Sequence, residues 1–264
     1  MSTSFVDKVA VITGSARGLG RAYALRLARL GADVVIVDVN LESAREVGEE
    51  LTAVSVVDEI SNMGRRSCGF QVDVARRKDV EAMFRKTVER FGQIDILINN
   101  AGGLLDHPES SFASTVAEED LKATLGRNLM GTIYCCQAVS PIMKQQRSGK
   151  ILNVASFLAL QAEDAGWYAS YGVAKAGIVH YTRYLAVELG PYGINVNCIA
   201  PGYVRTRRLA KRQDEKREEI LKKIPLGRFA EPEDVAKVAE FFCSGLSDYV
   251  TGQCLPVCGG VVRF

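Results

Sequence analysis

The chain of 264 residues is 47% hydrophobic and 24% charged, proportions of soluble globular domains that exclude a disordered, collagen-like or coiled-coil chain. Its formal net charge of +2 at neutral pH provides no whole-molecule field for nucleic acid or for an anionic membrane surface. A single α/β sheet of this length is ordinary, so we expect one domain over residues 1–264.

The sequence shows no membrane, export or metal-binding signal. No apolar run approaches the roughly 20 residues of a membrane helix, and residues 1–8 lack the pattern of a signal peptide. We therefore expect a cytoplasmic protein without a membrane partner. The seven cysteines form no CxxC pair, and His107 and His180 lack partners at metal or triad spacing. This pattern predicts buried free thiols and no metal site.

Apolar, β-branched runs alternate with helical patterns along the chain. Runs that are apolar on both faces are typical of parallel strands covered by helices on both sides. The predicted strands are 9–13, 33–38, 67–72, 94–99, 150–155, 194–200 and 254–257. The predicted helices are 19–30, 41–63, 78–91, 118–145 in two parts, 171–189 and 233–243; a β-prone stretch at 53–57 leaves the bounds of the second one open. The pattern predicts an α/β fold with a doubly wound parallel sheet of about seven strands.

The first predicted strand runs into a glycine-rich turn, TGSARGLG at 13–20, and then into a helix. Glycine lets a ligand approach the backbone N–H groups, and a helix N-terminus favours negative charge, so the turn predicts a pyrophosphate site. Asp38 closes the second strand, where a carboxylate can accept both adenosine ribose hydroxyls and would repel a 2′-phosphate. This favours NAD. Arg17, inside the turn, could instead help to bind the phosphate of NADP, which remains the alternative.

The TGxxxGxG spacing resembles the classical short-chain dehydrogenase/reductase family, and other motifs follow in the family's order over nearly the whole chain. They are Asp73-Val74, Asn99-Asn100-Ala101-Gly102, Asn128, Ser156, Tyr171-Gly172-Val173-Ala174-Lys175 and Pro201-Gly202. The resemblance implies a Rossmann-type fold and an enzyme that interconverts a secondary alcohol and a ketone with NAD or NADP. The cofactor contacts it implies are Gly14, Arg17, Gly18, Leu19, Gly20, Asp38, Asp73, Val74, Asn100, Ala101, Gly102, Tyr171, Lys175, Pro201, Gly202, Val204 and Thr206.

Tyr171 and Lys175 stand four residues apart in a predicted helix, so their side chains share one face. A nearby cation lowers the pKa of a phenol, which would let Tyr171 take the proton while a carbinol carbon loses hydride. Ser156, at the end of the fifth strand, can hydrogen-bond the same substrate oxygen. The resemblance implies that Lys175 also binds the nicotinamide ribose and that Asn128 anchors a water linking Lys175 to solvent.

Three of these four residues have a structural alternative when each is taken alone. Ser156 could cap the following loop, Asn128 could be a polar helix residue, and Tyr171 could simply pack. For the whole protein, the alternatives are an NADP-dependent ketone reductase and a catalytically idle dinucleotide sensor or scaffold. The presence of all four residues together argues against a catalytically idle sensor or scaffold. Tyr168 lacks a lysine at i+4 and is not expected to transfer the proton.

The segment 203–226 resembles the mobile substrate lid of the family and carries nine Lys and Arg residues against four acids. An anionic substrate is one interpretation, with Arg205, Arg207 and Arg208 as contacts, because guanidinium groups suit carboxylate, sulfonate or phosphate. The alternative is a solvated helix whose cations pair with its own acids. His107 could line the same cleft. The substrate is expected to be a small molecule, but fold and motifs do not name it.

The helix after Tyr171 is apolar or small round most of its surface, which indicates burial on more than one side. Together with the resemblance, this predicts a homotetramer with two-fold axes. His180 lies on that helix and is expected at the interface.

Overall fold

Seven parallel strands form one sheet in the computed structural model, which describes residues 4–104 and 111–263. The strands are β1 Val9–Thr13, β2 Asp33–Asp38, β3 Ser67–Gln71, β4 Ile96–Asn99, β5 Gly149–Val154, β6 Ile194–Pro201 and β7 Cys254–Val257. Their order across the sheet is β3-β2-β1-β4-β5-β6-β7, and every neighbouring pair is parallel. The predicted doubly wound Rossmann-type sheet is confirmed.

Helices cover both faces of the sheet. They are α1 Gly18–Arg29, α2 Ser43–Glu46, α3 Val56–Asn62, α4 Arg77–Phe91, α5 Glu118–Leu125, α6 Gly131–Gln146, α7 Ala169–Leu189, α8 Arg207–Glu215, α9 Arg217–Lys223 and α10 Pro232–Cys243. Ala10 and Ile12 of β1 pack into a core with α1, α3 and α10, while Val9 and Val11 face α4, α6 and α7. Because successive side chains of a strand point to opposite faces, the continuous apolar run of β1 supplies both cores.

The prediction of one helix over 41–63 is wrong. The structure has two short helices, α2 and α3, joined by an irregular segment at 47–55. Gly48 follows α2 with φ 67°, and Ser55 begins α3 by accepting a hydrogen bond from the Asp58 N–H to its side chain. Positive φ and a serine cap are both typical of helix boundaries, so local chemistry interrupts the helical pattern here.

Two further segments bear on the site. A π-helical turn, Gly126–Met130, joins α5 to α6, so the predicted helix in two parts is confirmed. The segment 203–226 contains α8 and α9. None of the helices in the described ranges has the length and apolar surface needed to cross a membrane. All seven cysteines are free thiols, six of them buried and Cys254 half-buried.

Candidate active site

A cleft of about 860 Å³ opens at the carboxyl ends of the strands. The chain leaves β1 and β4, which are neighbours, towards opposite sides of the sheet, and such switch points are where α/β sheets bind ligands. Every residue predicted to bind the dinucleotide lines this cleft, and so does Ser156. Asn128 lies behind it and is fully buried. The structure therefore brings the predicted residues together.

The glycine turn after β1 is hydrogen-bonded to the turn after β4. Asn100 donates from its side-chain amide to the carbonyls of Thr13 (3.1 Å) and Gly14 (2.9 Å). A Cβ on Gly14 would lie 2.8 Å from the Ala101 Cα, and one on Gly20 would lie 2.0 Å from the Gly14 carbonyl oxygen. Side chains are therefore excluded, and the bare turn at the start of α1 fits a pyrophosphate group.

Asp38 is fixed against the same turn. Its carboxylate accepts hydrogen bonds from the backbone N–H groups of Ala16 (3.1 Å) and Asn40 (3.2 Å). Burial raises the pKa of Asp38, while these backbone hydrogen bonds and the nearby Arg17 oppose the increase. A carboxylate held at this edge of the cleft can accept hydrogen bonds from ribose hydroxyls, and Arg17 stands beside it.

Glu49 is a cleft residue that the sequence analysis missed. Its carboxylate accepts hydrogen bonds from the Gly18 N–H at 2.9 and 3.3 Å, and it pairs with Arg21 at 3.0 Å. Arg21 in turn pairs with the buried Glu59 at 2.6 Å. No motif indicated Glu49, because it lies in the irregular segment for which a helix was predicted.

Ser156, Tyr171 and Lys175 meet at the inner end of the cleft. The Tyr171 hydroxyl is hydrogen-bonded to the Ser156 side chain. The Lys175 Nζ lies 5.6 Å from the centroid of the Tyr171 ring and donates to the Val154 carbonyl at 2.8 Å. Ser156 Oγ also accepts from the Leu158 N–H at 3.3 Å, so it caps the following turn as well as contacting Tyr171.

The electrostatics of this group differ from the expectation that Lys175 lowers the pKa of Tyr171. Burial raises the pKa of Tyr171, and the groups that partly oppose the increase are Ser156, by hydrogen bonding, and the cation of Arg208. Burial also lowers the pKa of Lys175 to about 8. Desolvation disfavours the charged form of each group, so it dominates in this arrangement.

Asn128 holds the loop that follows β4. Its side-chain oxygen accepts from the Gly103 N–H at 3.0 Å, and its amide nitrogen donates to the carbonyls of Gly103 (3.2 Å) and Thr124 (3.0 Å). These contacts shape the cleft wall beside Gly102, where a Cβ would lie 2.3 Å from the Asn128 oxygen. The predicted water link to Lys175 stays a prediction.

The part of the cleft formed by the loops after β4, β5 and β6 combines apolar and aromatic side chains with charged ones. It includes Leu104, Phe157, Leu158, Trp167, Tyr168, Tyr203, Leu209 and Ile220. Two cations of segment 203–226 contact this part of the cleft: Lys216 lies 5.2 Å from the Trp167 ring centroid, and Lys223 pairs with Asp164 at 3.0 Å. The aromatic members stand outside the motifs.

The basic residues of segment 203–226 have different environments. Arg205 pairs with Asp214 at 3.1 Å, as expected for a helical segment whose cations pair with its own acids. Arg207 and Arg208 line the cleft, and the Arg208 guanidinium lies against Gly103. His107 lies outside the described residues. His180 is exposed on α7 and stacks edge-on with Tyr184.

Comparisons with known proteins match almost the whole chain. A family model described as enoyl-(acyl carrier protein) reductase matches residues 14–262. A cyclohexanol dehydrogenase of Rhodococcus sp. (strain TK6) is 49% identical over 258 residues, which are 96% of each chain. A short-chain type dehydrogenase/reductase from Mycobacterium marinum superposes with a TM-score of 0.89 at 29% identity, covering 99% of this chain and 98% of the other.

A 7α-hydroxysteroid dehydrogenase, solved in complex with NADH and 7-oxo glycochenodeoxycholic acid, superposes with a TM-score of 0.87 at 31% identity. The match covers 99% of this chain and 96% of that one. Sequence and fold agree over nearly the full length, and the chain belongs to the classical short-chain dehydrogenase/reductase family of oxidoreductases.

Proposed function

We propose that the protein is an NAD-dependent alcohol dehydrogenase that oxidises a secondary alcohol to a ketone, with Tyr171 as the general base. The observation that carries the proposal is the placement of Ser156, Tyr171 and Lys175 together in the cleft, with the Lys175 Nζ 5.6 Å from the centroid of the Tyr171 ring. The 49% identity to a cyclohexanol dehydrogenase supports the reaction class.

Bound NAD would accept the hydride that leaves the substrate carbon. Ser156 would hydrogen-bond the substrate oxygen and hold it beside Tyr171, whose phenolate would take the hydroxyl proton. Lys175 would bind the nicotinamide ribose. Because burial raises the pKa of Tyr171, the phenol stays protonated at neutral pH in the free enzyme. Alcohol oxidation is therefore expected to become faster as the pH rises, since it requires the deprotonated form.

The choice of NAD rests on Asp38, whose carboxylate is held at the glycine turn by two backbone N–H groups. There it would accept the adenosine ribose hydroxyls and repel a 2′-phosphate. Val204 and Thr206 would lie along the nicotinamide. Thr206 precedes α8 without capping it through its side chain, so its hydroxyl is not committed to the helix.

The apolar and aromatic side chains among the cleft lining, together with the 49% identity to a cyclohexanol dehydrogenase, support an alicyclic or other apolar secondary alcohol as the substrate. We further propose that residues 1–264 act as one catalytic domain, that 203–226 is a substrate lid, and that the protein works in the cytoplasm as a homotetramer. Exposed apolar side chains on α7, Val173, Tyr184 and Val187, support burial of that helix in an assembly.

The test is NADH formation from cyclohexanol, acyclic secondary alcohols and polyols, with NAD and NADP compared in parallel. Tyr171→Phe is expected to lower kcat by at least about 100-fold while dinucleotide affinity, measured by fluorescence titration, stays within about threefold. Tyr168→Phe, three residues away in the same cleft, is the matched control and should retain most activity. Equal losses in the two variants, or no turnover of any alcohol by the wild type, would overturn the proposal.

A further inference from the structure

The segment 47–55 brings a second carboxylate to the glycine turn. Glu49 lines the cleft and its carboxylate accepts the Gly18 N–H, which lies in the first turn of α1. This N–H is one of the groups that a helix N-terminus offers to an anion. Gly48, the preceding residue, faces the guanidinium of Arg207, since a Cβ there would lie 3.8 Å from its Nε. The segment thus approaches the lid.

Glu49 is held in place by a network rather than by one contact. Arg21 donates to Glu49 at 3.0 Å and to both oxygens of Glu59 at 2.6 and 2.8 Å. Glu59 also accepts from the Thr52 N–H and hydroxyl, both at 2.7 Å. The side chains of Arg21 and Glu49 are only 15% and 17% exposed, so the geometry is set before any ligand binds.

Acidic and basic side chains alternate at this end of the cleft, where Arg207 also approaches Gly48. Three carboxylates, Asp38, Glu49 and Glu59, stand against two guanidinium groups, Arg17 and Arg21. Arg21 is already shared between two acids and offers little to a further anion. Arg17 is the one cation of this set beside Asp38, and Glu49 binds the residue that follows it. A phosphate approaching Arg17 therefore also approaches Glu49.

We propose that Glu49 is a second residue that selects against a 2′-phosphate on the adenosine ribose, acting with Asp38. The proposal rests on the proposed use of NAD. Its physical basis is repulsion between a half-buried carboxylate and a phosphate, which is stronger than in water because the cleft is partly desolvated. The effect of Glu49 is to offset the attraction that Arg17 offers to the phosphate of NADP.

The experiment compares Glu49→Gln with Glu50→Gln, which removes the same charge from an exposed neighbouring residue. Binding of NAD and NADP is measured by calorimetry, independently of turnover. Glu49→Gln keeps the side-chain length and an acceptor for Gly18, and it should raise the ratio of NADP affinity to NAD affinity about tenfold, or about 1.4 kcal/mol. Any effect on the pyrophosphate, which both dinucleotides carry, cancels in that ratio. Glu50→Gln should leave the ratio of the two affinities unchanged.

A third variant, Glu49→Asp, keeps the charge and should keep the wild-type preference, which separates charge from local packing. The thermal unfolding of each variant reports whether the segment still folds. Equal changes for NAD and NADP in Glu49→Gln, or a matching change in Glu50→Gln, would overturn the role of Glu49. A wild-type preference for NADP or a lack of turnover would instead contradict the proposed function, so the two failures are distinguishable.

Discussion

The buried carboxylate of Glu59 gives the sharpest stability prediction. It accepts four hydrogen bonds, two from Arg21 and two from Thr52, at 2.6 to 2.8 Å. Glu59→Gln replaces one acceptor oxygen by an NH₂ group, which would face a donor. Removing one partner of a buried ion pair costs about 3–5 kcal/mol. Arg21 retains its ion pair with Glu49 in this variant. We therefore expect a loss of unfolding free energy at the lower end of that range, about 3 kcal/mol, which lowers Tm by about 6–12 °C.

Urea unfolding followed by circular dichroism measures this loss, and Glu81→Gln is the control. Glu81 pairs with Arg77 at 2.9 Å on the exposed face of α4, where an ion pair contributes about 0–1 kcal/mol. A loss for Glu59→Gln no larger than that for Glu81→Gln would refute the reasoning.

The pH dependence of this loss follows from the pKa of Glu59. Burial would raise that pKa, but the hydrogen bonds from Arg21 and Thr52 outweigh burial and hold it below its usual range. A lowered folded-state pKa gives stability that is fully present above the ordinary glutamate pKa of about 4.3 and is lost as the pH falls through the folded-state value. The difference between wild type and Glu59→Gln should therefore be constant near neutrality and shrink only under acid conditions.

Three further predictions concern the site and the assembly. Lys175→Met should lower kcat and weaken dinucleotide binding together, because it removes both a cation and the proposed contact with the nicotinamide ribose. Kinetics and fluorescence titration measure the two effects, and an unchanged dinucleotide affinity would contradict the ribose contact. Arg208→Ala should raise KM for an anionic alcohol more than for a neutral analogue of the same shape. Equal increases in KM for the two substrates would contradict a role of Arg208 in anion recognition. Light scattering at micromolar concentration should give the mass of four chains, whereas a monomeric mass would contradict the tetramer.

The sheet was predictable because β1, β2, β4, β5 and β6 are buried on both faces, so that their apolar runs stand out against the flanking sequence. The bounds of β1, β2 and β7 agree with the predicted ones, and the other strands differ by one or two residues at their ends. The segment 41–63 was not predictable from periodicity. Its apolar pattern is typical of a helix, but Gly48 and the Ser55 cap divide it. The hydrogen bond from the Gly18 N–H to Glu49 is a tertiary contact, which periodicity does not report.

The candidate site also has features that could be predicted from the sequence and features that could not. Residues in motifs, such as Tyr171 and Lys175, could be placed because their spacing fixes which helix face they share. The pKa of Tyr171 could not be anticipated, since it depends on burial and on Arg208, which reaches the site from α8. The contact of Lys216 with the Trp167 ring could not be anticipated either, because it joins two segments that are distant in the sequence.

The strand order separates two kinds of recognition in space. The strands β1 to β3 carry the glycine turn and Asp38, while the loops after β5 and β6 carry Ser156 and Tyr203. The two halves join along the seam between β1 and β4, where Asn100 bonds to the carbonyls of Thr13 and Gly14. Changes in the loops after β5 and β6 can therefore reshape their side of the cleft without disturbing the contacts that hold the glycine turn and Asp38. One half of such a molecule can diversify over evolution while the other is kept.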